Sequence, residues 1–274
     1  MAELSMKRVL THAALISCVL VIAAPVLLAF LFSTQTATQI FSYPPQFSFG
    51  DALVENYVRV WTEYHLGRYM LNSFVIALAV TVGKTCIAFA AAMALIYFAF
   101  PLKNWVFLFI LLTLMMPTKI MIVALFDLVA DFGWANSYAA LIVPFLASAT
   151  GTFLFRQHFL QIPTALMDAA RIDGTGPIRF AWHILLPMSM NVIAALAVIE
   201  FVYMWNQYLW PLIVIRENQY QVVQVGLSMM TAGQDATNWG VVMAGAIISL
   251  LPSLLVFMLL QEQFSRGFAL SQEK

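Results

Sequence analysis

Ionisable residues set deep inside apolar runs are where chemistry could sit in this chain. Lys84, Lys119 and Glu200 each stand more than ten residues from at least one end of such a run. A lysine there costs about 2.5–3.5 kcal/mol on insertion scales, and such groups face a bundle interior or a watery cavity. All three are therefore candidates for lining a solute path, the lysines suited to an anion and Glu200 suited to countering one of them. Aromatic and amide residues crowd a second stretch, "FVYMWNQYLWPLIV" from Phe201 to Val214. Trp205, Asn206 and Tyr208 offer ring faces beside hydrogen-bonding groups, a combination that suits a polyol or sugar, while an interfacial aromatic belt accounts for Trp210. Covalent chemistry finds no footing. Gly83-Lys84-Thr85 imitates the end of a phosphate-binding loop, but Leu78 stands where the pattern needs its first glycine, in an apolar run and not after a strand. His12, His65, His158 and His183 are scattered without metal-ligand spacing, and no Ser/His/Asp set or carboxylate pair is arranged for catalysis.

The elements that would position these residues are membrane spans. Hydrophobic residues make up 62% of the chain, charged residues 9%, and the mean hydropathy is +0.88, far from the balance of soluble domains. Thirteen Lys/Arg against thirteen Asp/Glu leave no net charge, so nothing points to nucleic acid. Cys18 and Cys86 lie in apolar runs and are expected to be buried, inert thiols. About 20 apolar residues cross the hydrocarbon, and six stretches qualify, about 10–32, 70–97, 105–127, 138–155, 188–212 and 239–262. The first exceeds a signal-peptide core of about 7–15 residues. The runs are continuous and do not alternate with period two, so helices are expected and not a barrel. The expected fold is an all-α membrane protein, one transmembrane domain over 1–274. Pro117, Pro144, Pro211 and Pro252 lie within or at the ends of spans, tolerable where neighbouring helices satisfy the freed carbonyls. With the N-terminus cytoplasmic, eight Lys/Arg fall inside and three, Arg59, Arg68 and Arg216, fall outside. Both termini are then cytoplasmic, residues 156–187 form a long cytoplasmic loop, and 33–69 and 213–238 lie outside. Six spans are few to line a whole pathway, so a second membrane subunit is expected.

That loop contains "DAARIDGTGPIRFAWHILLP", Asp168 to Pro187. Thr164 is placed to cap a short helix. Ala165, Leu166, Ala169, Ala170 and Ile172 cover one of its sides, and Thr164, Asp168 and Arg171 the other. Gly174 suits the left-handed position that ends the helix, and Gly176-Pro177 suits the start of a second. The second helix is expected to run through Ile184 and Leu186 to Pro187 and join span five stiffly, as a lever. The same residues also suit an amphipathic segment lying on lipid headgroups.

Asp168-Ala169-Ala170, three residues, Gly174, nine residues, then Ile184-x-Leu186-Pro187 resembles the cytoplasmic EAA loop of permease subunits of type I ABC importers. The match includes Arg171 and Asp173 within its span and departs at Asp168, where the family usually has Glu. The resemblance implies that the short helix docks on an ATP-hydrolysing subunit and couples its closure to the spans. It implies that the chain itself is no enzyme and holds no cofactor, ATP and Mg being bound by the partner ATPase. It also implies a complex of this chain, a homologous first permease, two ATP-binding subunits and an external solute-binding protein, in a bacterial inner membrane. Trp205-Asn206 is similar to a signature of the carbohydrate-type branch. Together with "NSYAALIVPFLASATGTFLFRQHFLQIP" it resembles the permeases for sn-glycerol-3-phosphate, which implies that solute or a related glycerophosphodiester. A maltose- or oligosaccharide-type importer is the alternative within the class. An ATP-independent secondary carrier is the alternative outside it, and it leaves the loop unexplained.

Overall fold

The computed structural model describes residues 2–116, 120–231 and 238–269, side chains from 8 to 261. No strand occurs among them. In chain order the helices are α1 (Ala2–Ser33), α2 (Ala37–Ile40), α3 (Leu53–Thr62), α4 (Leu66–Tyr97), α5 (Lys103–Leu114), α6 (Ile122–Asp131), α7 (Tyr138–Ile142), α8 (Ala149–Gln161), α9 (Thr164–Ile172), α10 (Pro177–Phe180), α11 (Leu186–Met188), α12 (Met190–Trp205), α13 (Leu209–Val214), α14 (Val223–Thr231) and α15 (Trp239–Ala269).

Four helical stretches among the described residues are long and apolar enough to cross a membrane: Arg8–Ser33, Leu66–Tyr97, Tyr138–Gln161 and Trp239–Gln261. A fifth results if the bent pair Pro177–Met188 and Met190–Trp205 counts as one. The expected span over 105–127 is instead divided between α5 and α6, each too short to cross alone. Its sequence supplies a reason, since Pro117 has no N–H to give a helical carbonyl and disfavours helix in the residue before it. Helix α8 carries on into the expected loop over 156–187 as far as Gln161, with the Arg156 guanidinium 3.9 Å from the centre of the Phe107 ring. Span five is interrupted too. Trp205 ends α12, and α13 resumes only at Leu209.

Residues Met1–Arg68 and Val225–Leu251 form one compact unit. Within it the most apolar stretch of α1 has no buried residue, and its foot is tied down by polar bonds. The buried Asn56 amide donates to the Ser33 and Gln35 carbonyls, both at 2.9 Å, and the Gln35 amide donates to Gln46 and Ser48 carbonyls. Gly240, in the first turn of α15, lies so close that a Cβ there would stand 2.3 Å from the Gln35 carbonyl oxygen. Only glycine permits that approach.

Residues Tyr69–Gln224 and Pro252–Lys274 form the other unit. Its core is aromatic. Phe155 and Phe159 of α8 meet Phe89 of α4 edge to face at 5.5 and 5.3 Å, and Ala88 and Ala92 on α4 have no exposed surface. Each such ring pair adds about 0.5–1.5 kcal/mol beyond its buried area. Cys86 and Cys18 are free and exposed on the chain, against the expectation of burial. Each lies on a helix face left open by the other described residues.

Candidate functional site

The helix–turn–helix after α8 closes as its sequence directs. Gly174 has φ +70°, its N–H bonds the Arg171 carbonyl at 3.0 Å, and the Thr175 N–H bonds the Ala170 carbonyl at 2.8 Å. These two bonds are the Schellman closure, which satisfies carbonyls a helix end leaves open. Gly176 then caps α10 and Pro177 occupies its first turn. Thr164 is one position off the expected cap: Pro163 holds that place without a side-chain bond, and Thr164 is the first helical residue.

Of the residues expected on the apolar side of α9, only Ala170 turns inward. Ala170 is buried and Met167 half-buried against Phe155, Phe159, Ile162 and Phe180. Ala165, Leu166, Ala169 and Ile172 are exposed, Ile172 at 87%. On the other side Asp168 and Arg171 form an exposed pair at 3.6 Å, worth little on its own. Asp173 caps α9 through its backbone N–H, bonded to the Ala169 and Arg171 carbonyls. A shallow apolar surface follows on α10, lined by Gly176, Pro177, Ile178, Arg179, Trp182 and His183.

The second helix runs past Pro187 as expected, but its stiff junction with span five is corrected. Ala181–Leu185 is wound as a π turn that includes Ile184, α11 holds Leu186 and Pro187, and the axis bends by 76° before α12. Pro187 leaves the His183 carbonyl without its α-helical N–H and crowds it, which widens the turn. At the bend the buried Ser189 donates its hydroxyl to the Leu185 carbonyl at 2.6 Å. His158 of α8 bonds the Met188 carbonyl at 3.1 Å.

A second site lies between α4, α8 and α12. Lys84 and Glu200 pair at 2.6 Å, their side chains 10% and 7% exposed. Ser148, whose hydroxyl caps α8 at the Gly151 N–H, also donates to Glu200 Oε1 at 3.3 Å. The Lys84 ammonium lies 5.6 Å from the centre of the Tyr203 ring. Thr81, one turn before Lys84 on α4, and Thr85, which follows Lys84, keep their hydroxyls buried without a hydrogen-bond partner. Lys84 is thus neutralised where it stands. Lys119 lies outside the described residues.

Of the aromatic–amide stretch, Trp205 is 2% exposed and stacked on Phe201 at 5.9 Å, so it packs the bundle and does not face an open path. Asn206 is exposed, its amide nitrogen donating to the Val202 carbonyl and its oxygen accepting from Gln224. Tyr208 is 40% exposed. Trp210, expected in an interfacial belt, is 4% exposed and donates its ring N–H to the Ala140 carbonyl at 2.9 Å. Sequence reasoning missed Ser148 and Tyr203. Tyr203 follows Glu200 by three residues on α12, so helical spacing alone could have brought it forward.

A family model described as "Binding-protein-dependent transport system inner membrane component" matches residues 84–269. The chain is 42% identical over 269 residues to the sn-glycerol-3-phosphate transport system permease protein UgpE of Brucella melitensis, covering 95% of each. It is 40% identical over 272 residues to the protein of that name from Pectobacterium atrosepticum, covering 97% of each. In fold it is similar to a chain of a bacterial ABC transporter involved in the import of the acidic polysaccharide alginate, with TM-score 0.84 at 19% identity, over 95% of this chain and 97% of that one. A chain of a bacterial alginate ABC transporter in complex with alginate pentasaccharide-bound periplasmic protein gives TM-score 0.64 at 13% identity. The chain belongs to the binding-protein-dependent inner-membrane transport family, as a permease subunit of the type I ABC-importer kind.

Proposed function

We propose that this chain is the non-catalytic membrane subunit through which ATP hydrolysis on separate subunits drives import of sn-glycerol-3-phosphate or a related glycerophosphodiester. The observation that carries the reading is α9. Its base is fixed by Ala170 and Met167, its end is locked by the Gly174 turn, and its outer side leaves Leu166, Ala169 and Ile172 bare beside the Asp168–Arg171 pair. A rigid helix with a low apolar face and charges at its edge fits a protein groove. Ile178 and Trp182, 75% and 65% exposed, extend that surface along Asp168–Pro187.

In the complex, two ATP-binding subunits hold ATP and Mg and receive α9. A homologous first permease completes the pathway, and an external solute-binding protein docks on 33–69 and 213–238. Six spans with both termini cytoplasmic, in a bacterial inner membrane, agree with the eight-to-three Lys/Arg asymmetry. The fifth and sixth spans of that count come from the bent pair and from α5 with α6. The solute reading draws on the names of the relatives. Lys84 adds nothing to it, because Glu200 already matches its charge. Tyr203, Asn206 and Tyr208, on exposed parts of α12 and of the turn after it, are the path residues that a solute would meet on this chain.

The test is ATPase stimulation of the reconstituted complex with its binding protein. Stimulation by sn-glycerol-3-phosphate or a glycerophosphodiester is the expected result. Stimulation by maltose alone keeps the importer and overturns the solute, and uptake driven by an ion gradient without ATP overturns the class.

A further inference from the structure

The chain offers two routes from α9 into the membrane. The covalent one runs through α10 and α11 into α12, and it is interrupted three times in ten residues. It has the π turn at Ala181–Leu185, the proline at 187, and the 76° bend at the buried Ser189. Proline and π turns are where helices bend. The end of α11 is moreover held to α8 by the His158 bond to the Met188 carbonyl.

The second route is through packing. Phe180, the last residue of α10, is 4% exposed and meets Tyr97 edge to face, 5.4 Å between ring centres and 77° between planes. Tyr97 in turn meets Phe159 at 5.9 Å, and Phe159 meets Phe89 at 5.3 Å. Ala170 of α9 is seated on the same cluster, so both arms of the turn bear on it. Tyr97 is the last residue of α4, a 32-residue helix without a break or an internal proline. Close-packed interiors yield little to compression, and rings have few torsions to absorb a push. Thirteen residues up α4, about 20 Å at helical rise, stands Lys84, paired to Glu200 of α12. The Tyr97 hydroxyl is buried without a partner, so its ring is the part that does the positioning.

We propose that displacement of α9 is delivered to α4 through the Phe180–Tyr97 ring contact, and reaches α12 sideways, through Leu196 in the same cluster and through Lys84–Glu200, instead of along the chain. Phe180 and Tyr97 are then positioning residues for transport. The inference rests on the proposed docking of an ATPase on α9.

The experiment measures solute taken up per ATP hydrolysed by the full reconstituted complex, with retention of the ATPase subunits checked for each variant. Phe180→Leu and Tyr97→Leu are each expected to lower the ratio by about fivefold or more, the double variant no further than the worse single. Tyr97→Phe, which keeps the ring, is expected to hold the wild-type ratio. Ser189→Gly loosens the covalent route and is likewise expected to leave the ratio unchanged, and it decides the matter should the leucine variants not assemble. A normal ratio in Phe180→Leu, a multiplicative fall in the double variant, or a fall in Ser189→Gly would each overturn the proposal. ATP-independent uptake by the wild-type complex would remove the functional reading itself, before any variant is compared.

Discussion

Glu200 shows how much one buried group can organise. Its two oxygens meet Lys84 on α4 and Ser148 at the start of α8, so three helices converge on a single carboxylate. Breaking such a pair on one side leaves an uncompensated buried charge, whereas replacing both sides with apolar groups is often tolerated. Lys84→Met is accordingly expected to destabilise the detergent-solubilised complex by about 3–5 kcal/mol, and Lys84→Met with Glu200→Leu to recover most of it. Thermal unfolding of the two variants checks this, and a double variant as unstable as the single would refute it. At Gly174 the φ of +70° costs a side-chain-bearing residue about 1–2 kcal/mol. Gly174→Leu is expected to insert normally yet lose solute-stimulated ATP hydrolysis, and normal stimulation would contradict the role given to the turn. These two positions were open to sequence reasoning for different reasons. A glycine ahead of Gly-Pro carries its backbone requirement with it, and deep opposite charges must find partners. Which partner Lys84 takes was not legible, because it depends on the relative rotation of helices 116 residues apart in sequence.

At the scale of elements, apolar runs were readable and their interruptions were not. Hydropathy measures composition over a window, so it joins α5 to α6 and α12 to α13 across breaks of a few residues. The bend at Ser189 lies beyond its reach as well. The π turn arises from the geometry around Pro187, and the Ser189 hydroxyl takes up the Leu185 carbonyl at the bend. The sequence grouped Ala170 with Ala165, Leu166, Ala169 and Ile172 because a short helix of alanines with Leu166, Met167 and Ile172 is apolar on more than one side. Ala170 faces inward since Phe180 and Phe159 are there to meet it. The α12–α13 interruption supplies an element-scale prediction. Trp210 pins α13 to α7 by its bond to the fully buried Ala140 carbonyl. Trp210→Phe leaves that oxygen unpaired and is expected to destabilise the chain by about 1–3 kcal/mol. It should also increase protease cleavage around 206–208. Unchanged melting and cleavage would show that α13 is held by something else.

The described residues expose far more apolar surface than a solitary soluble protein carries, including most of α1 from Arg8 on and the outer side of α9. Lipid accounts for the first kind of surface; for the second, on a stretch too polar and too short to cross, the proposed function supplies a groove on an ATP-binding subunit. The central claim is that an ATP-binding subunit occupies that face. The direct measurement places a photo-activatable cross-linker at Ala169 in the assembled complex and identifies what it captures. The account expects a covalent adduct with the ATP-binding subunit, weakened when the cross-linker is moved to the buried position 170. Capture of lipid alone, with the ATP-binding subunits present and active, would contradict it.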